Sequence, residues 1–428
     1  MRNIYYIFVI FSSFLTVSCA PKLQVWYLKA EDIQRQPIAI EKNKSTYATQ
    51  SNCFDVLTYT PDTAHLSHTP LKYVRVNFHW MNTRDSSRNY NGQEAINFTR
   101  DLLVAINKDL ETNQRMWLPR GNETQVLPTR YRFVLAPVAN IANDKGIYFH
   151  YDEELSPYVH KGKNANLHKR EPINKYGIQL DSVLNIFIMP HHPDSVKSKT
   201  YGAYGVGVSL GDVVKAAGMF ENKGAAGNYR GIFNHEIGHI FGLYHAWYGD
   251  DCADTPDHLN NCWTWTPEPP CDTTASNNLM DYNAYQNAWS PCQIGKIHYA
   301  MAQEGTLARR FLQPNWCQLH EDRNIIIRDS VEWRGAKDLE GNLTIVTGGV
   351  LKISCRVSLP ANAKITLEPG ATLILDNCRL HNACGDRWQG IEIQEFAKQK
   401  GKVIFIGEPK LENVMNIIAA EDVTSHMK

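Results

Sequence analysis

The run His235-Glu236-Ile237-Gly238-His239-Ile240-Phe241-Gly242-Leu243-Tyr244-His245 leaves this chain few folds to choose from. Each of its fixed positions has a separate chemical job. On a helix, residues four apart leave the same face, so the imidazoles of His235 and His239 can share one tetrahedral metal ion. Glu236 stands beside the first ligand, outside the coordination sphere but within reach of a metal-bound water, where a general base belongs. Gly242 lets the chain leave the helix through a conformation that a side chain resists, so His245 can turn back as third ligand. Three neutral nitrogens leave one position open for water, the mark of a catalytic rather than a structural zinc site. The competing reading, a structural helix that happens to carry three histidines, needs five fixed residues to coincide by chance.

Two more motifs follow: Asp254-Thr255-Pro256, then Asn278-Leu279-Met280-Asp281-Tyr282 some 35 residues beyond the histidines. Met280 can form a hydrophobic floor beneath them. Tyr282 can aim its phenol at the metal and donate to a developing oxyanion; an ordinary buried tyrosine is the alternative. With these three motifs the chain resembles the pappalysin branch of the metzincins, whose pattern runs HExGHxLGLxH, DTP, N-x-M-D-Y. The resemblance covers roughly residues 70 to 305. It implies an α+β metzincin-type zincin domain with a mixed twisted sheet, an active-site helix and an irregular, disulfide-linked lower subdomain. It implies an endopeptidase with His235, His239 and His245 on Zn2+, Glu236 as base, Met280 in the methionine turn and Tyr282 as transition-state donor. The family's acidic stretch before DTP, associated with calcium, is shortened here to Gly249-Asp250-Asp251-Cys252-Ala253-Asp254, which leaves room for Ca2+ only in a reduced form.

With 44 basic and 44 acidic residues among 428, no net charge favours a nucleic acid partner. Residues 1–19 read as an export signal: Arg2, an apolar run from Ile4 to Val17, then Ser18-Cys19-Ala20. Cys19 stands where a bacterial lipobox carries its lipidated cysteine, although Thr16 replaces the commoner leucine; simple cleavage after Ala20 is the alternative. Either route places the chain outside the cytoplasm, secreted or at the cell-envelope surface, where cysteines pair. A lipid on Cys19 is the only membrane attachment the sequence offers.

Residues 20–68 are polar and read as a pro-segment or linker, or as a tethering stalk. A peptidase domain is expected over 69–316. Val74, Val76, Phe78 and Trp80 alternate as a strand, Gln93 to Leu110 has helical spacing, and Tyr131–Ala136 and Leu184–Met189 are further strands, the last wholly apolar and so central. The polar stretch between those strands reads as surface loop, and His191-His192, flanked by prolines, as a surface turn. The glycine-rich Tyr201 to Ser209 is an edge strand able to take an extended peptide, or a mobile loop. The metal helix begins near Asn228.

The segment from Cys252 to Cys292 is irregular and holds four cysteines, Cys252, Cys262, Cys271 and Cys292, with three pairings open. The resemblance points to the crossed arrangement, Cys252 with Cys271 and Cys262 with Cys292. If Cys317, Cys355, Cys378 and Cys384 pair among themselves, Cys53 is odd. Its thiolate is then a latency switch on the zinc, similar to family practice; a disulfide to Cys317 is the alternative. Over 317–428, Gly349–Ile353 and Gly370–Leu375, with Cys355-Arg356-Val357 and Cys378-Arg379-Leu380, repeat at 21 to 23 residues, the coil length of a parallel β-helix. Only a few coils fit and no cap is evident, as in a piece of a longer solenoid; a small β-sandwich is the alternative. Asp376, Asp386 and Glu392 there read as scattered and solvated. The expected function is an exported zinc-dependent endopeptidase acting on protein or peptide substrates with a zinc-activated water. A surface adhesin or scaffold with a non-catalytic zinc site is the alternative, opposed by the intact Glu236.

Overall fold

The computed structural model describes residues 22–29, 52–86, 89–199 and 202–415. The export segment, Cys19 and Tyr201 lie outside the described residues. The protein is a mixed α/β structure with several sheets, cross-linked by disulfides. Among the described residues no helix is long and apolar enough to cross a membrane. The first strand, β1 (Gln24–Tyr27), joins the C-terminal part of the chain. The next six form one sheet: β2 (Lys72–Asn82), β3 (Tyr131–Leu135), β4 (Ile147–Tyr151), β5 (Leu184–Met189), β6 (Val206–Ser209) and β7 (Val213–Ala217). Along one side of β2 lie β3 and then β4; on the other come β5, β7 and, at the edge, β6. All pairs are parallel except β6 with β7, because the short turn at Leu210–Asp212 leaves no chain for a crossover. The polar connection read as loop thus hides β4, a strand short enough for its hydrophobic signal to be lost among lysines and histidines.

The two-residue alternation of the strands sorts side chains onto two covered faces. Val74, Val76, Phe78, Ile186, Ile188 and Val214 pack in one core with α1 (Gly92–Glu111), which buries Ala95, Phe98, Leu102, Ile106 and Leu110. Met81, Phe187, Met189 and Val213 enter a second core beneath the 152–176 connection. Burial on both faces is why β5 carries no exposed position. His191 belongs to this packing: it is buried, its Nε2 facing the Tyr204 carbonyl at 2.9 Å, so the surface-turn expectation fails for it.

Burial also sets an acid limit. His79 Nε2 faces the side-chain oxygens of Asn77 and Asn185, and its Nδ1 lies 2.9 Å from His150 Nε2. Burial lowers His79 to about 3 and His150 to about 4, and lowers His298, bonded to the Thr129 carbonyl, to about 3. These groups are protonated near pH 6.5 only in the unfolded chain. Stability is therefore full above that value and is lost as pH falls toward the folded values. Unfolding at pH 5 should take up ~3 protons at these three sites, and the urea midpoint should be lower at pH 5 than at pH 7.5. Equal midpoints would contradict the neutral, buried state.

In the C-terminal part, Ile325–Ile327, Leu343–Ile345, Lys364–Leu367 and Gly390–Phe396 pair in parallel in that order. Two more parallel sheets run alongside, one through Val350–Ile353 and Thr372–Asp376, the other through Arg356–Ser358 and Arg379–His381. Leu351 pairs with Leu373 and Val357 with Leu380, the offsets read in the sequence, and their side chains stack in a separate core. β1 adds antiparallel to Gly390–Phe396, with the Lys400 ammonium 4.0 Å over the Trp26 ring. Asp376 and Glu392 are buried rather than solvated: Lys352 reaches Asp376 at 3.1 Å and Lys364 reaches Glu392 at 2.7 Å.

Residues 52–68, expected as pro-segment or linker, form a strap of 3₁₀ turns beside α3, the helix Pro291–Ala302. Val56 lies against Gly295, and Tyr59 meets Tyr299 edge-on at 5.2 Å. Cys53 is bonded to Cys355, which overturns the latency switch and equally the disulfide to Cys317. Cys317 joins Cys384, leaving Cys378 as a buried free thiol. Asp338 receives Arg309 through both terminal nitrogens, at 2.7 and 2.9 Å, and Arg356 at 2.7 Å; Arg356 also donates to the Ala302 carbonyl. Burial would raise the Asp338 carboxyl, but Arg356 and Arg309 hold it well below the usual range.

Candidate metal centre

Helix α2 (Arg230–Ile240) carries the first two histidines and is buried on nearly every side, so it needs no amphipathic stripe. It starts two residues beyond the expected Asn228. It ends in a Schellman motif: Leu243 N–H donates to the Gly238 carbonyl and Gly242 N–H to His239, both at 3.0 Å. Gly242 has φ +85°, the left-handed value its place in the motif required.

Beyond this turn His245 returns toward the helix. Nitrogens of His235, His239 and His245 lie within 4.8 Å of one another and could together hold a metal ion. His235 Nε2 and His239 Nε2 are 3.2 Å apart. The Nδ1 atoms point away: that of His235 donates to the Leu279 carbonyl at 2.7 Å, and that of His239 to the Leu243 carbonyl at 2.8 Å. These bonds fix the tautomer with the Nε2 lone pairs turned inward, which is how metal-ligating imidazoles are oriented. Burial lowers His235 to about 3 and His245 to about 4, so both are neutral donors at ordinary pH. The donor set fits a borderline divalent cation such as zinc.

Met280 is fully buried below α2, and a Cβ on Gly238 would stand 2.6 Å from its sulfur. Gly238 is thus needed for the approach of the turn, a role the sequence reading missed. Asn278 anchors that turn by accepting from Met280 N–H and exchanging amide bonds with Gln293, itself part of the capping box of α3. Glu236 lies against the edge strand β6: a Cβ on Gly207 would meet its Cγ at 2.5 Å. Burial pushes the Glu236 carboxyl up to about 7, the Ser209 backbone N–H pulling the other way. A cation on the three imidazoles would oppose that rise. Tyr282 is 52 % exposed, not an ordinary buried tyrosine; its ring lies 5.7 Å from that of His235 and 5.2 Å from that of His245. Trp247, also missed, stacks on His245 at 4.0 Å and 12°.

The four cysteines of the lower half are bonded, but nested rather than crossed: Cys252 with Cys292 and Cys262 with Cys271. Asp254 accepts from the Cys292 N–H at 2.9 Å, drawing the start of α3 onto the loop of Cys252, while the 262–271 loop closes on itself. In the short acidic stretch the Asp250 oxygens are already engaged. The Asp250 carboxylate accepts from Cys252 N–H and Thr255 Oγ1, and the Lys296 ammonium caps the Asp250 carbonyl, so internal donors occupy this residue.

No family model and no curated protein matches the chain. Among solved structures it is similar to mature mirolysin of Tannerella forsythia in complex with a cleaved peptide, at 18% identity and a TM-score of 0.37 over 56% of this chain and 94% of that one. A promirolysin mutant from the same organism matches at 16% identity and a TM-score of 0.38, over 66% of this chain and 94% of that one. Likeness this distant leaves every residue assignment to the geometry above; what it records is a remote structural similarity to mirolysin.

Proposed function

We propose that this chain is an exported zinc endopeptidase of the pappalysin-like metzincin type, with its peptidase domain over 69–316 and a parallel β-helix module after it. The observation that carries the reading is the convergence of three neutral imidazoles, two of them locked by backbone carbonyls, beside a carboxylate that stands outside the donor set. Zinc held by His235, His239 and His245 would supply Lewis acidity, polarising a scissile carbonyl and shifting the pKa of water toward neutrality. Glu236 takes a proton from the attacking water and returns it to the leaving amine, the two-way role of a carboxylate beside but outside the donor set. Tyr282, exposed beside two of the histidines, donates to the developing oxyanion. The edge of β6, on the side of the sheet nearest Glu236, offers backbone groups to an extended peptide. The export signal and a lipid on Cys19 would hold the enzyme at the cell envelope.

A casein digest tests this. The purified chain should cleave casein, lose the activity to a chelator and regain it with zinc. Stoichiometric zinc without cleavage of any protein substrate would instead favour the scaffold reading.

A further inference from the structure

The lower wall of the metal centre contains a buried ion pair that the chemistry above does not use. Asp281 lies between Met280 and Tyr282 and is fully buried, its carboxylate accepting from Ser276 Oγ. His258 Nε2 stands 3.3 Å from the same carboxylate oxygen, and His258 Nδ1 stands 3.2 Å from the Pro256 carbonyl. His258 Nδ1 thus meets the Pro256 carbonyl, whereas Nε2 makes no hydrogen bond and meets the carboxylate as a close charge contact; burial disfavours the imidazolium, but Asp281 beside it raises the His258 pKa. The other Asp281 oxygen has no hydrogen-bond partner, so His258 is the only cation in contact with this carboxylate among the described residues. At the backbone, His258 N–H donates to the Trp247 carbonyl at 3.1 Å. Trp247 is the indole stacked on His245, and its ring also meets Tyr282 at 4.7 Å.

We propose that His258 is a positioning residue of the metal centre. Its imidazole sets a positive charge 3.3 Å from the Asp281 carboxylate beneath the methionine turn, and its backbone holds the segment that carries Trp247. One residue thus ties together the turn bearing Tyr282, through its side chain, and the segment of the indole that backs His245, through its backbone. Near the site the two segments also meet through the Ala246 N–H bond to the Met280 carbonyl and through ring contacts. Loss of His258 leaves a buried carboxylate without its counter-charge, and the turn must shift to let water reach it. Metal ligands oriented by such outer contacts typically lose about 10–100-fold in affinity when the contacts go.

The proposal rests on the peptidase reading only for its kinetic readout. His258→Ala, Asp281→Asn and the double variant would be compared with the parent for zinc affinity by chelator competition, for the visible spectrum of the cobalt-substituted protein, and for kcat and KM on a casein-derived peptide. His258→Ala should weaken zinc binding about 10–100-fold, alter the cobalt spectrum and lower kcat while KM stays within about threefold. The double variant should be less impaired than His258→Ala, because no unpaired carboxylate remains. Zinc affinity and cobalt spectrum unchanged in His258→Ala would overturn the proposal, as would strictly additive losses in the double variant. Should His258→Ala fail to fold, His258→Gln is read by the same criteria. If the parent itself cleaves no peptide, the peptidase reading falls, and the zinc and cobalt measurements still decide the role of His258.

Discussion

Glu236→Ala should retain zinc and the fold but lose about 10²–10⁴-fold in kcat, the usual worth of a positioned general base. The expectation follows from where Glu236 stands. Its neighbours His235 and His239 present nitrogens to the metal centre, whereas Glu236 packs on Gly207 of the edge strand and takes no place among the three converging donors. Removing the carboxylate opens a small space beside Gly207, and the Ser209 backbone N–H that faces it belongs to an edge strand. Metal analysis and casein cleavage on the same sample check it. Activity within tenfold of the parent would remove Glu236 from the mechanism. Loss of zinc would mean that the carboxylate holds the histidines in place.

Asp338→Ala should cost about 3–5 kcal/mol of stability, the range for removing one partner of a buried charge network. The substitution leaves two guanidiniums without their counter-ion, with only 8% of the Arg309 side chain and 12% of that of Arg356 exposed. Arg309 comes from the chain that follows α3, and Arg356 from a strand of the C-terminal sheets, so the network fastens the two cores to each other. The disulfide from Cys53 to Cys355 and the strap of residues 52–68 act across the same junction, and so the cores should loosen rather than separate. Urea unfolding followed by fluorescence measures the loss, and kcat at low temperature should be unchanged because Asp338 touches nothing in the metal centre. A loss below about 1 kcal/mol would show that water already solvates the network.

How much was legible in the sequence follows from the range of the forces involved. Local pattern was enough for the metal helix, since i and i+4 histidines share a face whatever surrounds them, and for Gly242, since a Schellman turn is written in its own backbone. Alternation was enough for β2 and β5, and a repeat of side chains was enough to set the interval between paired strands of the C-terminal part. β4 was missed because five residues carry too little pattern to stand out from a polar connection, and only the open side of β2 makes a strand of them.

Partner choice across long separations was not legible. Nothing near Cys53 distinguishes Cys355 from Cys317; the strap beside α3 brings the first within reach and not the second. The nested pairing of Cys252 with Cys292 depends on Asp254 reaching the start of α3, and Asp376 and Glu392 are buried because the preceding parallel strand supplies each with a lysine. Gly207 and Gly238 read as ordinary glycines until the edge strand and the methionine turn close on them. The sequence by itself determined which atoms could bind a metal, because ligand spacing on a helix is local geometry. Which charges are paired, which cysteines are joined and what holds the ligands in place were decided by the tertiary structure, since those depend on contacts between residues far apart in the chain, and such contacts leave no periodic trace.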